Sequence, residues 1–183
     1  MTSPTPGTLL IAEPPMADPH FKRAVILLCE HSLDGSFGLV LNRPAPYRLT
    51  EVADVQLPME VPVGNGGPVQ PETLHFLHPY GDRIEGSLPI ADGVWWGGNL
   101  PSLLENLSDW TIDPAMIRFF LGYSGWGPGQ LDEEVDDGGW ILLGATDSLV
   151  FAHSDDQLWR DILRELGGEY ALLSTFPDDP RLN

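Results

Sequence analysis

The stretch Gly122-Tyr-Ser-Gly-Trp-Gly-Pro-Gly-Gln-Leu-Asp-Glu-Glu-Val-Asp-Asp-Gly-Gly-Trp140 contains six glycines, two tryptophans and five acidic residues. The apolar residues 116–123 that lead into it predict a core strand. Pro128 suits the first position of a helix, so we expect a short helix over residues 128–135 that Gly138 and Gly139 end. We therefore predict that these glycines turn the chain sharply between strand and helix, with Trp126 packed as a plug.

Hydrophobic patterning and turn residues predict the elements on both sides of this stretch. Strands are expected at residues 8–12, 23–31, 37–42, 73–78, 94–96, 140–145 and, at a sheet edge, 171–176. Helices are expected near residues 50–54, at 101–107, and from a capping box at Ser154 to Gly167. Residues 63–71 read as a loop, and Asp34-Gly35 as the turn of a hairpin. Strands outnumber helices and hairpin order dominates, which indicates a single α+β domain.

The charge balance restricts the possible partners. Nine Lys and Arg residues face 27 Asp and Glu, which gives a formal net charge of −18, and Lys22 is the only lysine. Such a surface repels the phosphate backbone of nucleic acids and anionic membranes. We therefore expect no direct nucleic-acid binding and no membrane binding. A basic protein partner or a small ligand fits better.

The same sequence predicts a cytoplasmic protein. No run approaches the roughly 18 apolar residues that a transmembrane helix needs. The N-terminal residues lack the basic segment of a secretory signal. Cys29 is the only cysteine, so an intramolecular disulfide is not possible.

Two nucleophile arrangements are conceivable. Ser124 lies in a sequence close to the G-x-S-x-G elbow of hydrolases, and Asp147 and His153 follow in triad order, but Trp126 occupies the position of the second glycine. Cys29 and His31 lie two apart on one predicted strand, so they would share a face and could form a thiol–imidazole pair. A cysteine within an apolar strand is more often an inert core residue.

Metal and phosphate sites are weakly indicated. His75 and His78, three apart on a strand, would point to opposite faces. The glycines of residues 64–68 lack the Lys-Ser/Thr that completes a P-loop. The acidic residues 132–137 lack the spacing and the glycine of a calcium loop. We predict neither a metal nor a cofactor.

Several segments together resemble the YqgE/AlgH family of bacterial proteins. The matching segments are residues 18–31, 35–44, 66–72, Leu77-His78, 122–131 and Trp140. The resemblance implies one α+β domain spanning residues 1–183, with an ordered core at about 7–176 and a mostly antiparallel, branched sheet folded into a pseudo-barrel. It also implies a cytoplasmic protein with the label of a transcriptional regulator and without agreed catalytic residues. Alanine is common in the family at the position of Ser124.

We interpret the chain as a non-enzymatic binding or regulatory module that acts through protein or small-ligand contacts. The alternative is an enzyme that uses Cys29 with His31, or Ser124. Three segments are expected to converge on one concave, partly aromatic patch: the hairpin end, the loop after residue 63, and the glycine-rich stretch. Its predicted contact residues are His31, Asn42, Gly66, Gly67, Pro68, Trp126 and Gln130.

Overall fold

The fold is built from ten strands and six short helices within the described part of the chain. The computed structural model describes residues 3–151 and 155–177. The strands are β1 (Thr8–Ala12), β2 (Val25–Ser32), β3 (Gly35–Val40), β4 (Pro44–Arg48), β5 (Pro62–Asn65), β6 (Val69–His78), β7 (Leu88–Ala91), β8 (Val94–Trp96), β9 (Arg118–Trp126) and β10 (Trp140–Gly144). The helices are α1 (Leu49–Val52), α2 (Leu100–Ser108), α3 (Gln130–Asp136), α4 (Asp147–Val150), α5 (Asp155–Leu166) and α6 (Gly168–Leu173).

The strands form one mostly antiparallel sheet in the order β10-β1-β2-β3-β9-β6-β8-β7, with β4 and β5 off this path. The sheet curls into a half-barrel. Only the pairing of β5 with β9 is parallel among the strand pairs of the described residues. The predicted α+β class and the branched antiparallel sheet are confirmed.

Strand β9 is where the sheet branches. Its first half pairs with β5 on one side and with β6 on the other, as in the registers Phe120↔Gly64 and Phe120↔His75. Its second half pairs with β3 instead of β5, through Ser124↔Gly38. The sheet changes partner at Gly122, whose φ of +68° favours glycine.

Gly66 forms backbone hydrogen bonds to both chain segments that flank this branch point. Its N–H donates to the Leu121 carbonyl at 2.8 Å, and its own carbonyl accepts the Val40 N–H at 2.9 Å. A Cβ atom on residue 66 would lie 2.3 Å from the Gly122 carbonyl oxygen. Only glycine therefore lets the end of β5 approach β9 closely enough to join β3 and β9.

Three apolar clusters fill the two faces of the sheet. The largest lies between the sheet and α5 and includes Leu27, Phe120 and Trp159. A second lies around α2, with Leu103 and Leu107 as its helical contribution. The third lies under α3 and contains the two tryptophans of the glycine-rich stretch, Trp126 and Trp140.

The glycine-rich stretch differs from the prediction in where it turns. Strand β9 continues through Trp126, so the turn consists of Gly127, Pro128 and Gly129 only. The helix begins at Gln130 rather than at Pro128, because Gly129, in the left-handed conformation at φ +73°, occupies the position before it. The prediction that Trp126 packs as a plug is confirmed by its 5% exposure.

Other element predictions were wrong for tertiary reasons. Residues 171–176, predicted as an edge strand, form the end of α6 and a following turn, because this apolar segment packs against α5 instead of pairing with the sheet. The predicted loop at 63–71 contains most of β5 and the start of β6, because β5 pairs with β4 and β9 and the start of β6 pairs with β9. Strands β4 and β7 and helix α4 were not predicted. The capping box at Ser154 lies outside the described residues.

Candidate functional site

Ser124 is placed as a structural residue. It lies within β9, has no exposed surface, and its hydroxyl donates to the Gly66 carbonyl at 3.2 Å. A hydrolase elbow requires the serine to project from a turn between strand and helix, whereas here the turn comes three residues later. This geometry gives no support to Ser124 as a nucleophile. His153, its proposed triad partner, lies outside the described residues.

Cys29 and His31 lie on opposite faces of the sheet, contrary to the prediction. The register jumps from Leu28↔Gly38 to Glu30↔Phe37, so Cys29 is the extra residue of a β-bulge. Cys29 packs with the large cluster that contains Leu27. His31 pairs with Ser36 across the strand, and Ser36 pairs in turn with Trp126 on the other face. The bulge thus breaks the two-residue alternation that the prediction assumed.

The environment of Cys29 disfavours a thiolate. The side chain is 2% exposed, and its Sγ donates weakly to the Leu27 carbonyl at 3.6 Å. Burial, and to a lesser degree the charge of Glu30, raises the pKa of the Cys29 thiol far above its usual range. Since the thiolate is the reactive form, a thiol-dependent mechanism has no support at this position.

The histidines of β6 face opposite sides, as the sequence predicted. His75 lies in an aromatic cluster, 5.2 Å from the Phe37 ring and 5.9 Å from the Tyr123 ring. His78 stacks on Phe76 at 5.8 Å and is fully buried. Its Nδ1 accepts the Tyr80 N–H, which leaves the Nε2–H to donate to the Gly97 carbonyl at 2.8 Å. Within residues 3–151 and 155–177, no three metal-ligating side chains lie close enough to hold an ion.

The geometry of the hairpin separates two residues of the predicted patch, His31 and Asn42. His31 lies near the turn, opposite Ser36, whereas Asn42 lies beyond the far end of β3. Six residues of extended chain separate Ser36 from Asn42, a span of about 20 Å. Asn42 is also buried and committed to the backbone: its amide oxygen accepts the Val25 N–H and its nitrogen donates to the Arg23 carbonyl, both at 2.8 Å. Asn42 therefore does not join His31 in one site.

Of the predicted loop residues, the two glycines pack and the proline is exposed. Gly67 has φ +150°, and a Cβ atom there would lie 2.2 Å from the Tyr123 carbonyl carbon. Gly66 closes the branch point described above. The backbone groups of these glycines thus serve the fold, and only Pro68 is presented to solvent.

Trp126 and Gln130 do lie together, in a hydrogen-bond network centred on Glu134. The Glu134 Oε2 accepts both indole N–H groups, from Trp126 at 2.9 Å and from Trp140 at 2.8 Å. Its Oε1 accepts from the Gln130 amide at 2.9 Å, and Gln130 in turn accepts the Gly127 N–H at 3.0 Å. The glycine turn and two rings thereby fix the orientation of one carboxylate.

This network borders a cavity of about 480 Å³, here termed the aromatic–acidic cavity. Its apolar wall is formed by Met16, Phe21 and Trp140. The Phe21 ring also stacks on the Trp126 ring, with 6.2 Å between the ring centroids. Trp126 therefore packs against a side chain that forms part of this wall. Four carboxylates line the cavity as well: Glu13, Asp18, Glu134 and Asp137.

Carboxylates and aromatic side chains meet in this cavity. Burial raises the pKa of the Glu13 carboxyl, the direction expected for an acid that is partly removed from water. An organic cation placed there would contact aromatic faces and carboxylates together.

The sequence analysis named Gln130 and Trp126, which belong to this hydrogen-bond network, and did not name Glu134 or Phe21. The spacing of Gln130 and Glu134, four apart on a helix, was the available signal.

His31 lies close to this region but outside the cavity lining. Its Nδ1 is 2.8 Å from the Ser36 hydroxyl, and its Nε2 is 3.6 Å from an Asp132 carboxylate oxygen on α3. These contacts fasten the hairpin end to α3, the helix that carries Gln130 and Glu134. His31 therefore supports the position of α3 and does not itself line the cavity.

Comparisons with known proteins agree with the architecture. Residues 9–171 match the model of the AlgH-like family. A UPF0301 protein of Chlorobium limicola is 43% identical over 178 residues, covering 97% of this chain and 95% of the relative. A UPF0301 protein of Cytophaga hutchinsonii is 39% identical over 181 residues, covering 98% of this chain and 99% of the relative.

Two solved structures are also similar. The crystal structure of protein DIP2367 from Corynebacterium diphtheriae has a TM-score of 0.81 at 28% identity, covering 96% of this chain and 94% of that one. The solution structure of the AlgH protein from Pseudomonas aeruginosa has a TM-score of 0.74 at 31% identity and covers 98% of both chains. With a matching family model over most of its length and relatives of this identity, the chain belongs to the AlgH-like, UPF0301 family.

Proposed function

We propose that the protein is a non-enzymatic binding module that receives a basic side chain, Arg or Lys, of a protein partner in the aromatic–acidic cavity. The observation that carries the proposal is the placement of four carboxylates against an apolar wall that contains Phe21 and Trp140. A guanidinium or ammonium group gains from an aromatic face and from a carboxylate at once.

The fixed orientation of Glu134 favours specific recognition of a basic side chain over attraction by a diffuse surface charge. Two indole N–H groups and the Gln130 amide hold this carboxylate, so its position is set before a ligand arrives. A preorganised group loses less conformational entropy on binding than a free surface side chain. The net charge of −18 would also draw a basic partner toward the molecule and raise the association rate.

A regulatory role in the cytoplasm, acting through such a protein contact, fits this module better than direct nucleic-acid binding. The surface charge opposes a polyanion. An enzymatic role has less support, since Ser124 and Cys29 are both buried and, within residues 3–151 and 155–177, each donates to a backbone carbonyl rather than to a base. In the described part of the chain no helix is long and apolar enough to cross a membrane.

The test is an NMR titration that uses the two indole N–H groups as reporters. The probe is N-acetyl-arginine amide, and the control probe is N-acetyl-citrulline amide, which has the same shape without the charge. We expect the arginine probe to shift the Trp126 and Trp140 indole resonances and to leave that of the exposed Trp110 unchanged. The citrulline probe should shift them much less.

A matched pair of variants separates the site from general charge attraction. Glu134→Gln should weaken binding of the arginine probe about tenfold, as expected for loss of one charge-assisted contact. Glu133→Gln, which removes an exposed charge from the same helix, should leave it unchanged. Equal shifts with both probes, or equal losses in both variants, would contradict the proposal. Tighter binding of agmatine than of an Arg-containing peptide would assign the cavity to a small amine instead of a protein partner.

A further inference from the structure

Trp110 has a backbone conformation that a large side chain rarely adopts. It follows Asp109, the C-cap residue of α2, and its φ is +55°. Its N–H donates to the Leu107 carbonyl at 3.2 Å, and the Thr111 N–H donates to the Asn106 carbonyl at 3.0 Å. These two bonds define a Schellman motif, in which glycine normally occupies the position of Trp110. Because a Cβ atom is unfavourable in this conformation, tryptophan destabilises the end of the helix relative to glycine.

Burial of the ring does not compensate for this strain. Trp110 is 59% exposed, whereas the other five tryptophans are buried or half-buried. In the part of the chain that the structure describes, its ring packs on no other aromatic ring and its indole N–H has no hydrogen-bond partner. A strained backbone position without a compensating contact in the fold points to a functional role for the side chain.

The chain on the far side of Trp110 is held in place. The Thr111 hydroxyl donates to the Asn106 side-chain oxygen at 2.8 Å. The Thr111 carbonyl accepts from the Arg83 guanidinium at 3.1 Å. The indole ring is therefore presented to solvent on a backbone whose position is set before any partner arrives, which lowers the entropy lost on binding.

An apolar groove of about 380 Å³, here termed the α2 groove, lies along the same end of α2. Residues 55–57 form one wall, and α2 residues between Pro101 and Asp109 form the other. Leu57 and Leu104 are half-buried in the second apolar cluster, so part of each side chain faces the groove. The two charged residues of the lining, Glu105 and Asp109, are both acidic.

We propose that the α2 groove and Trp110 form a docking surface for a protein partner, through a peptide segment in which apolar side chains are flanked by Lys or Arg. The apolar side chains would contact Leu57 and Leu104, and the cations would lie opposite Glu105 and Asp109. Tryptophan is among the residues that contribute most energy to protein interfaces. A second copy of this chain fits less well, because its own charge of −18 would be repelled by this acidic rim.

This surface shares no residue with the aromatic–acidic cavity, and the proposal does not rest on the function proposed for that cavity. The indole N–H resonance of Trp110 reports on the α2 groove, whereas those of Trp126 and Trp140 report on the cavity. Failure of one proposal is therefore distinguishable from failure of the other in the same NMR spectrum.

The test is an NMR titration of the unmodified protein with the capped heptapeptide KLLKLLK. Its controls are ELLELLE, which keeps the apolar side chains and reverses the charge, and KSSKSSK, which keeps the charge and removes the apolar side chains. We expect KLLKLLK to shift the Trp110 indole resonance and both controls to shift it much less. Absence of a shift with KLLKLLK, or an equal shift with either control, would overturn the proposal. A Trp110 shift on concentrating the protein alone would assign the surface to a second copy instead.

Trp110→Gly separates a binding role from a structural one, because it removes the ring and the backbone strain together. We expect its melting temperature to be unchanged or higher. Its affinity for KLLKLLK, measured from the backbone amide shifts of α2, should fall about tenfold or more. A lower melting temperature would show that the ring stabilises the fold. That result, or an unchanged affinity, would contradict the proposal.

A matched pair of charge variants tests the acidic rim. Glu105→Gln should weaken KLLKLLK binding about threefold, as expected for loss of one exposed charge pair. Glu165→Gln removes an exposed carboxylate from α5, away from the groove lining, and should leave the affinity unchanged. Equal losses in the two variants would show attraction by net charge alone and would refute the predicted contact.

Discussion

Removal of the Glu134 carboxylate should destabilise the fold, because two indole N–H groups depend on it. In Glu134→Ala the Trp126 and Trp140 indoles lose their acceptor at 2.9 and 2.8 Å, and both rings are at least 95% buried. An unsatisfied buried donor costs about 1–3 kcal/mol. The cavity is open on one side, so water can reach part of this network, and we expect the lower half of that range for each indole. The free energy of unfolding should fall by about 2–4 kcal/mol in total.

Urea denaturation followed by tryptophan fluorescence and far-UV circular dichroism measures this change. Glu134→Gln keeps an acceptor oxygen and loses only the charge, so it should cost about 1 kcal/mol. Glu133→Ala has the same helix-propensity change on the exposed side of α3 and should stay within about 0.5 kcal/mol of the parent protein. A Glu134→Ala protein as stable as Glu133→Ala would refute the reasoning and would mean that water satisfies both indoles.

Four further outcomes are expected. Gly67→Ala should lower the free energy of unfolding by about 3 kcal/mol or more, because the added Cβ would collide with the β9 backbone. Gly144→Ala is the control, since a Cβ there would meet no other atom, and it should be neutral or stabilising in the same urea assay. Cys29 should react with iodoacetamide far more slowly in the folded protein than in denaturant, and equal rates would show an exposed thiol. Glu13→Gln should raise the melting temperature at pH 7, because a raised carboxyl pKa means that ionisation opposes folding, and the gain should vanish below about pH 4. Burial lowers the pKa of His75 and of His78, so stability should be full above about pH 6.5 and should fall as the pH drops below it; a free energy of unfolding that stays constant down to about pH 5 in the urea assay would contradict this.

Local chemistry was sufficient to predict much of the fold. The hairpin of β2 and β3 follows from two apolar runs around Asp34-Gly35. Helix α5 follows from a predicted apolar stripe of Leu158, Ile162, Leu163 and Leu166, of which the first three are buried and Leu166 is exposed. The glycine-rich stretch was correctly predicted to be a structural motif. These features depend on contacts between residues close in sequence, which patterning records directly.

The faces and partners of the strands were not predictable in the same way. A single bulge at Cys29 reverses the face of His31, and no local signal in this apolar run marks the extra residue. The branch at Gly122 depends on β5, from a different part of the chain, reaching the same strand as β3. Residues 171–176 are apolar enough for a strand or a helix, and packing against α5 decided for the helix.

The sequence by itself determined the α+β class, the acidic composition and the glycine-rich turn between a core strand and a helix. Only the tertiary structure placed Phe21 beside Trp140. The aromatic–acidic cavity joins Asp18 and Phe21 to Trp140, more than a hundred positions away. A sequence pattern records neighbours along the chain, whereas a cavity is formed by neighbours in space, so this candidate site could be recognised only from the tertiary structure.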